Sequence, residues 1–581
     1  MDKRFFLALL LTGAVVVITP VLFPRAPIAT PTAVVDPASA PAAGTQASSG
    51  AAPTASTVPT ATVAGGSAGG NAPASLASAP ALAAPETLTV TNPLATLAFS
   101  TRGAALLSAE LPRYQQLSAS AGTVVLENGR TPMLRYRLIA GGDTIALDTV
   151  AFTGTKEVSG DRESLTFTGA LGAARITIRY ALAADNYLAD VTWRAEGLPE
   201  PAFLLTDLPT GFASQESDTT EDERHLAYAM KPERGGAERI DFRKPDPGER
   251  LLQPGPLTWA VAKNKYFLVG VLAADSTPSP FAEVQVTGAV RVNKVAVNAA
   301  ATVVSPLPAA GIRFELFAGP QEWERLVGMG RDFENVNPYG GFISGVVQPF
   351  ATIVMRVLLW MKRTLQIEYG WILVIFGVVI RLAMWPLNSR MMRSSIQMQR
   401  IAPQVQAAQN KHKGDPEKQR EAVMKVYQEA GVSPFAALSG CLPMLLPMPI
   451  LFALFFVFQN TIEFRGVSFL WLADISLKDP FYILPLAMGL SMFVLSWVGM
   501  RNVPPNPQTK MMAYLMPIVM TVALLNFASG LNLYYAVQNL AALPQQWLIA
   551  NERAKNAPAT PATAVASAAA PATDGGARKK R

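Results

Sequence analysis

One cysteine and two histidines in 581 residues leave little from which to build a disulfide or a metal centre. Cys441, standing alone, excludes an internal disulfide and a cluster of thiolate ligands, and with no His or charged activator near it in sequence it reads as a packing residue. His225 and His412 are too few and too far apart for a histidine metal site, so no cofactor is expected. Charge is also sparse, at 16% of residues against 50% apolar. A soluble chain of this length would carry more charge, so membrane helices plus at least one soluble domain are expected. No Gly-x-x-x-x-Gly-Lys-[Ser/Thr] pattern occurs, which leaves no evident means of hydrolysing nucleotide. The net charge of +7 is not accompanied by a finger spacing or a stacking platform, and many basic residues flank apolar runs. They act as topology signals, and nucleic acid is not a direct partner. Gly65-Gly-Ser67-Ala-Gly69 matches a serine-nucleophile pattern by letter, but that pattern needs a strand before it and a helix after it, and an Ala/Pro/Thr tether supplies neither.

The chain is best organised around residues 370–390, GWILVIFGVVIRLAMWPLNSR, apolar and long enough to cross a bilayer yet carrying Arg381 near the middle. A guanidinium at bilayer depth costs about 2.5–3.5 kcal/mol even on lenient insertion scales. Snorkelling is difficult, because about ten residues at ~1.5 Å rise separate it from either end. No Asp or Glu in the other apolar stretches offers a buried partner. These facts point to an arginine lining a polar, water-accessible cavity inside the membrane.

Taken in order, residues 1–25 hold Lys3 and Arg4 before an apolar run from Phe5 to Phe23, which reads as an uncleaved N-terminal anchor with its basic end in the cytoplasm. Residues 26–86 are Ala, Pro, Thr, Ser, Val and Gly with little to form a core, a disordered linker. From 87 to 319 short alternating runs such as SLTFT at 164–168 and ARITIRY at 174–180 indicate antiparallel sheets packed as a sandwich. Within this domain the acidic run ESDTTEDER at 216–224 reads as a solvated loop, and His225 beside it as a surface residue. The domain shows no nucleophile, paired carboxylate or ligand cluster, so it is expected to bind, space or stabilise.

Residues 320–368 connect onward through a short helix over Gln321–Gly328 and an amphipathic helix from Val346 to Ile367. In that helix Phe350, Ile353, Val354, Val357, Leu358, Met361 and Leu365 recur at helical spacing. Arg356, Lys362 and Arg363 make a helix lying in the outer membrane surface the economical reading. The span at 369–390 delivers the chain inside, where 391–440 carry seven Lys or Arg against four Asp or Glu. Gly414 stops one helix, and Asp415 caps the next with Pro416 at its first position, giving a mobile helical hairpin suited to docking. Four further spans fill 441–550, the last carrying Asn532, Gln538 and Asn539, and Met511–Phe527 has only 17 residues, the short limit for spanning. The tail, 551–581, is a disordered basic cytoplasmic segment. With the anchor, this makes six spans and places both termini in the cytoplasm.

Four stretches, VVIRLAMWPLNSRMMRSSIQMQRIAPQVQ, HKGDPEKQREAVMKVYQEAGVSPFAALSGCLPMLLPMPILFALF, DPFYILPLAMG and FASGLNLYYAVQNLAALPQQW, run through most of 349–553 and closely resemble the bacterial YidC/Oxa/Alb family of membrane protein insertases, in its long Gram-negative form. The resemblance implies a polytopic α-helical membrane protein, an N-terminal anchor plus a five-helix insertase core, with a periplasmic all-β supersandwich. It implies a bacterial inner-membrane insertase and folding chaperone that works alone as a monomer or with the Sec translocon. Nascent membrane proteins would be its clients, and the ribosome and membrane lipids its other contacts. Arg381 would be the groove arginine and Tyr535 an aromatic of the client slide, with Gln538 in the same groove. Gly377 stands one turn before the arginine, where the family often has threonine. Met391, Arg393, Arg400, Lys413, Asp415 and Pro416 would belong to the client-docking hairpin.

Two rivals come from other classes. A secondary transporter predicts repeat symmetry and a discontinuous midplane site, which five core spans without an apparent repeat disfavour. A structural envelope assembly factor would have no reason to keep a charge in lipid.

Overall fold

The computed structural model describes residues 84–555 apart from 119–121, 275–277, 293–294, 297–298, 338, 340–343, 413, 432–447 and 502–506. The N-terminal anchor, the 65–69 pattern, nearly all of the 26–86 linker, Cys441 and most of the 551–581 tail lie outside the described residues.

The alternation in the first half does form strands, from Thr87–Thr91 to Ile312–Pro320, and every pairing among them is antiparallel. A nine-stranded sheet and a six-stranded sheet make the sandwich, with a four-stranded sheet from Thr87 to Leu126 beside them. Ala174–Leu182 shows why: Ala174, Ile176, Ile178, Tyr180 and Leu182 are buried while Arg175 and Arg179 are exposed, the period-two pattern of a sheet wet on one side. The larger sheet supplies Phe167, Ile178 and Trp193 to the shared core, and the smaller supplies Tyr136, Leu204, Val284 and Val303. Across that core Tyr180 donates to the Tyr136 hydroxyl at 3.0 Å and the Tyr136 ring meets Trp193 edge-on at 5.6 Å. Truncating a core aromatic such as Trp193 would cost about 3–5 kcal/mol.

The acidic run departs from the expected solvated loop. Asp218 caps a short helix, α1 (Thr219–Glu223), by accepting from the Glu221 amide at 3.0 Å, while Glu216 and Asp222 are buried. His225 is buried as well, not on the surface. Its Nδ1 lies 2.8 Å from the Glu221 carbonyl oxygen, and burial pushes its pKa down to about 3, so the imidazole stays neutral and donates from Nδ1. A run of acids looks wet in sequence because the cation that draws Glu216 inside, Arg465, is 249 residues away.

After the sheets come α2 (Trp323–Gly328), α3 (Ser344–Leu365), α4 (Tyr369–Lys411), α5 (Pro416–Glu429), α6 (Met448–Asn460), α7 (Ile483–Gly499), α8 (Pro507–Leu524) and α9 (Ser529–Lys555). The apolar stripe of α3 is rotated from the expected one: Val347, Ala351, Val354, Met355, Leu358 and Met361 are buried, whereas Phe350, Ile353 and Leu365 are exposed. The helix packs on α6, and the Thr461 hydroxyl just beyond α6 reaches the Met355 sulfur at 3.5 Å. The Arg381 span and the first arm of the hairpin are one continuous helix. The helix runs on through Pro386 for 43 residues, because proline removes one backbone donor without forcing the chain to stop.

Ser344–Leu365 and Tyr369–Arg390 are long and apolar enough to cross a membrane, and Ile483–Gly499 and Lys510–Leu524 are shorter apolar helices. Leu382, Leu486, Leu490, Trp497, Ile518 and Val522 face outward, the reverse of a water-soluble bundle. Between α6 and α7 the chain forms a loop clasped by the β domain. Arg465 Nε contacts both Glu216 carboxylate oxygens at 2.8 and 3.0 Å, and the Tyr266 hydroxyl lies 2.9 Å from Ser476 Oγ.

Candidate functional site

The site is built where α4 and α9 meet. The outer loop fixes the start of α9: the Ser529 amide donates to the Leu477 carbonyl at 2.6 Å and the Gly530 amide to Ile475 at 2.9 Å. These are helix N-terminal donors with no partner inside the helix. A side chain at Gly530 would run into Phe458, so the missing Cβ is what lets α9 seat there.

From that anchor α9 presents amides along an otherwise apolar helix. Arg381 of α4, half-buried, donates from Nη2 to Gln545 Oε1 at 2.9 Å. Gln545 returns its own Nε2 to α4, to the Trp385 carbonyl at 2.9 Å and to Ser389 Oγ at 2.8 Å. Arg381, Trp385 and Ser389 follow one another at i, i+4 and i+8 on one helix face, and one glutamine bridges all three. Arg381 Nε is buried and unpartnered, and no described carboxylate pairs with the guanidinium. A cation held by a neutral amide keeps its full charge available for an anion.

Other expected groove residues take different positions. Gln538 donates to the Tyr534 hydroxyl at 2.6 Å, one turn back on its own helix. Tyr535 packs its ring against Tyr534 at 5.7 Å and buries a hydroxyl with no partner. Gly377 is buried against α9; a Cβ there would stand 3.1 Å from Val537 Cγ1 and 3.5 Å from Tyr534 Cδ2. Glycine therefore lets α4 and α9 approach closely one turn before Arg381, where a threonine would push on Val537.

At the hairpin, Arg393 pairs with Glu552 of α9 at 3.0 Å. Asp415 accepts from the Glu417 and Lys418 amides, both at 3.2 Å, with Pro416 opening α5 as the cap sequence requires. Met391 and Arg400 lie within the α4 backbone trace, and Lys413 lies outside the described residues.

Two family models divide the chain within α3. The model described as YidC periplasmic domain matches residues 87–353, and the model described as 60Kd inner membrane protein matches 360–556. A membrane protein insertase YidC of Anaeromyxobacter dehalogenans is 33% identical over 441 residues, covering 72% of this chain and 75% of its own. The chain belongs to the YidC family of membrane protein insertases. A second YidC relative, from Chlorobaculum parvum, is 28% identical over 550 residues, or 86% of this chain and 92% of that one. A solved structure titled as an active YidC insertase with its first transmembrane domain resolved covers 80% of this chain at 20% identity, with a TM-score of 0.32. As a YidC-family member the protein is an inner-membrane insertase whose β domain is periplasmic.

For this YidC-family chain the residues that sequence reasoning missed are Gln545, Trp385 and Ser389. The signal was present: Gln545 stands seven residues after Gln538, two helical turns on and on the same face, an amide where an apolar span has no use for one.

Proposed function

We propose that the protein accepts hydrophobic client segments in a polar groove beside Arg381, open to the cytoplasm, and releases them sideways into the bilayer without nucleotide hydrolysis. The observation that carries this reading is the pairing of Arg381 with a neutral amide, Gln545, in place of a carboxylate. A client entering from the cytoplasm with an acidic or polar outer segment meets a cation whose charge is not cancelled, and the desolvation cost of moving that segment falls. The client's apolar span then drives the reaction by leaving water for lipid. Short α7 and α8 shorten the polar segment's path. The step is the lowering of a transfer barrier, with no covalent bond made or broken. The hairpin of α4 and α5 receives clients on the cytoplasmic side, where both termini lie. One copy suffices, alone or beside the Sec translocon and a translating ribosome.

The test is insertion of a small client with one acidic outer segment into proteoliposomes containing this protein alone. Arg381→Ala is expected to lower the insertion rate by about 10- to 100-fold, the scale of losing one charge interaction of about 1.4–3 kcal/mol, and Arg381→Lys to retain most of it. Equal rates for native and Ala would remove Arg381 from the mechanism.

A further inference from the structure

The outward face of the nine-stranded sheet holds a set of arginines that membrane insertion leaves unused. In strands Ala174–Leu182, Leu188–Glu196 and Ile312–Pro320 the inward positions Ile178, Val191, Trp193 and Phe314 are buried, which turns Arg175, Arg179, Arg194 and Arg313 to the exposed side. The register places Arg179, Thr192 and Arg313 side by side on three neighbouring strands, with Arg194 opposite Thr177 and Arg175 opposite Glu196. Adjacent strands are about 4.8 Å apart and diagonal neighbours about 7–8 Å, so the four guanidinium stems share one small area. Among the described residues none of the four arginines makes an ion pair; the acids on the same face are Glu196, Asp190, which stands 3.9 Å from Arg162, and Glu315, which pairs with Arg331 at 2.7 Å. Like charges on neighbouring strands oppose one another, so a face of this kind is held at a cost in stability.

This face runs into a cleft of the β domain of about 640 Å³, within the ~300–1,000 Å³ range typical of ligand sites. Thr192, Arg194 and Arg313 line it together with Pro256, Phe281 and Pro308. Gly311 makes the approach: at φ +82°, a Cβ there would lie 2.8 Å from Arg194 Cγ, so the arginine stem lies against the turn at the cleft edge. The lining is proline-rich and mostly apolar, and Arg194 and Arg313 are its cations. A bilayer surface is flat and would not enter such a concavity, whereas an extended chain with alternating apolar and acidic side chains would place one set on each.

We propose that this cleft and its arginine face bind an extended acidic polypeptide segment on the outer side of the membrane, namely the acidic outer segment of a client that has just crossed. The client's acidity rests on the reading of Arg381 given above; the outer site itself is separate from that groove. Binding holds the translocated segment outside and opposes its return.

The experiment uses the full-length protein in zwitterionic nanodiscs and a labelled peptide alternating Glu with Leu, followed by fluorescence anisotropy. A peptide with Gln for every Glu is the neutral comparison, and liposomes with an anionic lipid fraction are tested for co-flotation. The Glu peptide is expected to bind about tenfold or more tightly than the Gln peptide and to weaken with added salt. Arg194→Ser with Arg313→Ser, both exposed and neither in an ion pair, should lose about that tenfold, and the double Lys variant should retain most of it. Equal binding of the two peptides, unchanged binding by the double Ser variant, or co-flotation with anionic liposomes in place of peptide binding would each overturn the proposal. Arg381→Ala keeps the two readings apart: it should bind the Glu peptide as native does while failing in insertion. Normal insertion by Arg381→Ala with arginine-dependent peptide binding would discard the groove and leave the outer site standing.

Discussion

At the residue scale, the groove proposed above makes Gln545, the partner of Arg381, the residue that would set how much of its charge is free for a client. Replacing its amide by a carboxylate changes one atom and supplies the anion that the native site lacks. Gln545→Glu is therefore expected to form an internal ion pair and to slow insertion of an acidic client about as much as Arg381→Ala, while losing the donor that ties α9 to the Trp385 carbonyl. Gln545→Leu should keep the charge free but leave Arg381, Trp385 and Ser389 untied, giving a smaller defect. Insertion rates of the two variants side by side check this, and a Glu variant as fast as native would refute it. Glu463, in the outer loop, is a second such residue. Its Oε1 accepts from the Trp323 amide at 3.2 Å, its Oε2 is buried with no partner, and desolvation raises its pKa from 4.5 to about 7. Between those two values the folded chain holds a proton that the unfolded chain has released, so this contribution to stability is complete below 4.5 and is lost as pH rises towards 7. Glu216, raised to about 7 mainly by burial despite Arg465, acts with the same sign. Glu463→Gln should flatten the fall in Tm between about pH 5 and 7 by up to one proton's worth, about 1.4 kcal/mol per pH unit. An unchanged slope would mean that Glu463 does not carry that proton.

At the element scale, helix and strand patterns were legible wherever one face repeats. The strands at 164–168 and 174–180 and the Asp415–Pro416 cap follow directly from alternation and capping chemistry. The buried stripe of α3 was less legible, because an apolar helix flanked by protein on one side and lipid on the other has no polar side to set its phase. The 43-residue run of α4 joins the span to the hairpin as one rod, so movement of the hairpin tip is carried to Arg381. Arg393 and Glu552 tie that rod to α9, with side chains 63% and 42% exposed. A pair so wet contributes little to stability. Arg393→Ala should leave Tm within about 2 °C yet speed amide exchange in 391–411. A large drop in Tm would instead make the pair a structural support.

At the scale of the whole molecule, the β domain and the outer loop are joined by a pair that the sequence could not announce. Arg465 and Glu216 keep side-chain exposures of 4% and 7%, and the guanidinium stands 5.8 and 5.4 Å from the Tyr266 and Phe267 ring centres. Nothing local marks either residue, since each sits in a segment that reads as loop. Arg465→Ala would leave Glu216 buried without its cation and should cost about 3–5 kcal/mol, seen as a lowered Tm of the intact protein. Arg465→Ala with Glu216→Gln should recover part of that loss. A full-sized effect in the single variant with no recovery in the double would show that packing of the arginine stem, not charge, holds the junction.

The helices also distribute the chain's tryptophans in a telling way. Of the nine, Trp360, Trp371, Trp497 and Trp547 lie on outward faces of helices, while Trp193 and Trp259 are sealed in the β domain. Lipids brominated at chosen depths would therefore quench the first group and leave the second alone. Without any added dye, the protein's own fluorescence becomes a ruler of how deep each helix sits and how thick the surrounding bilayer is.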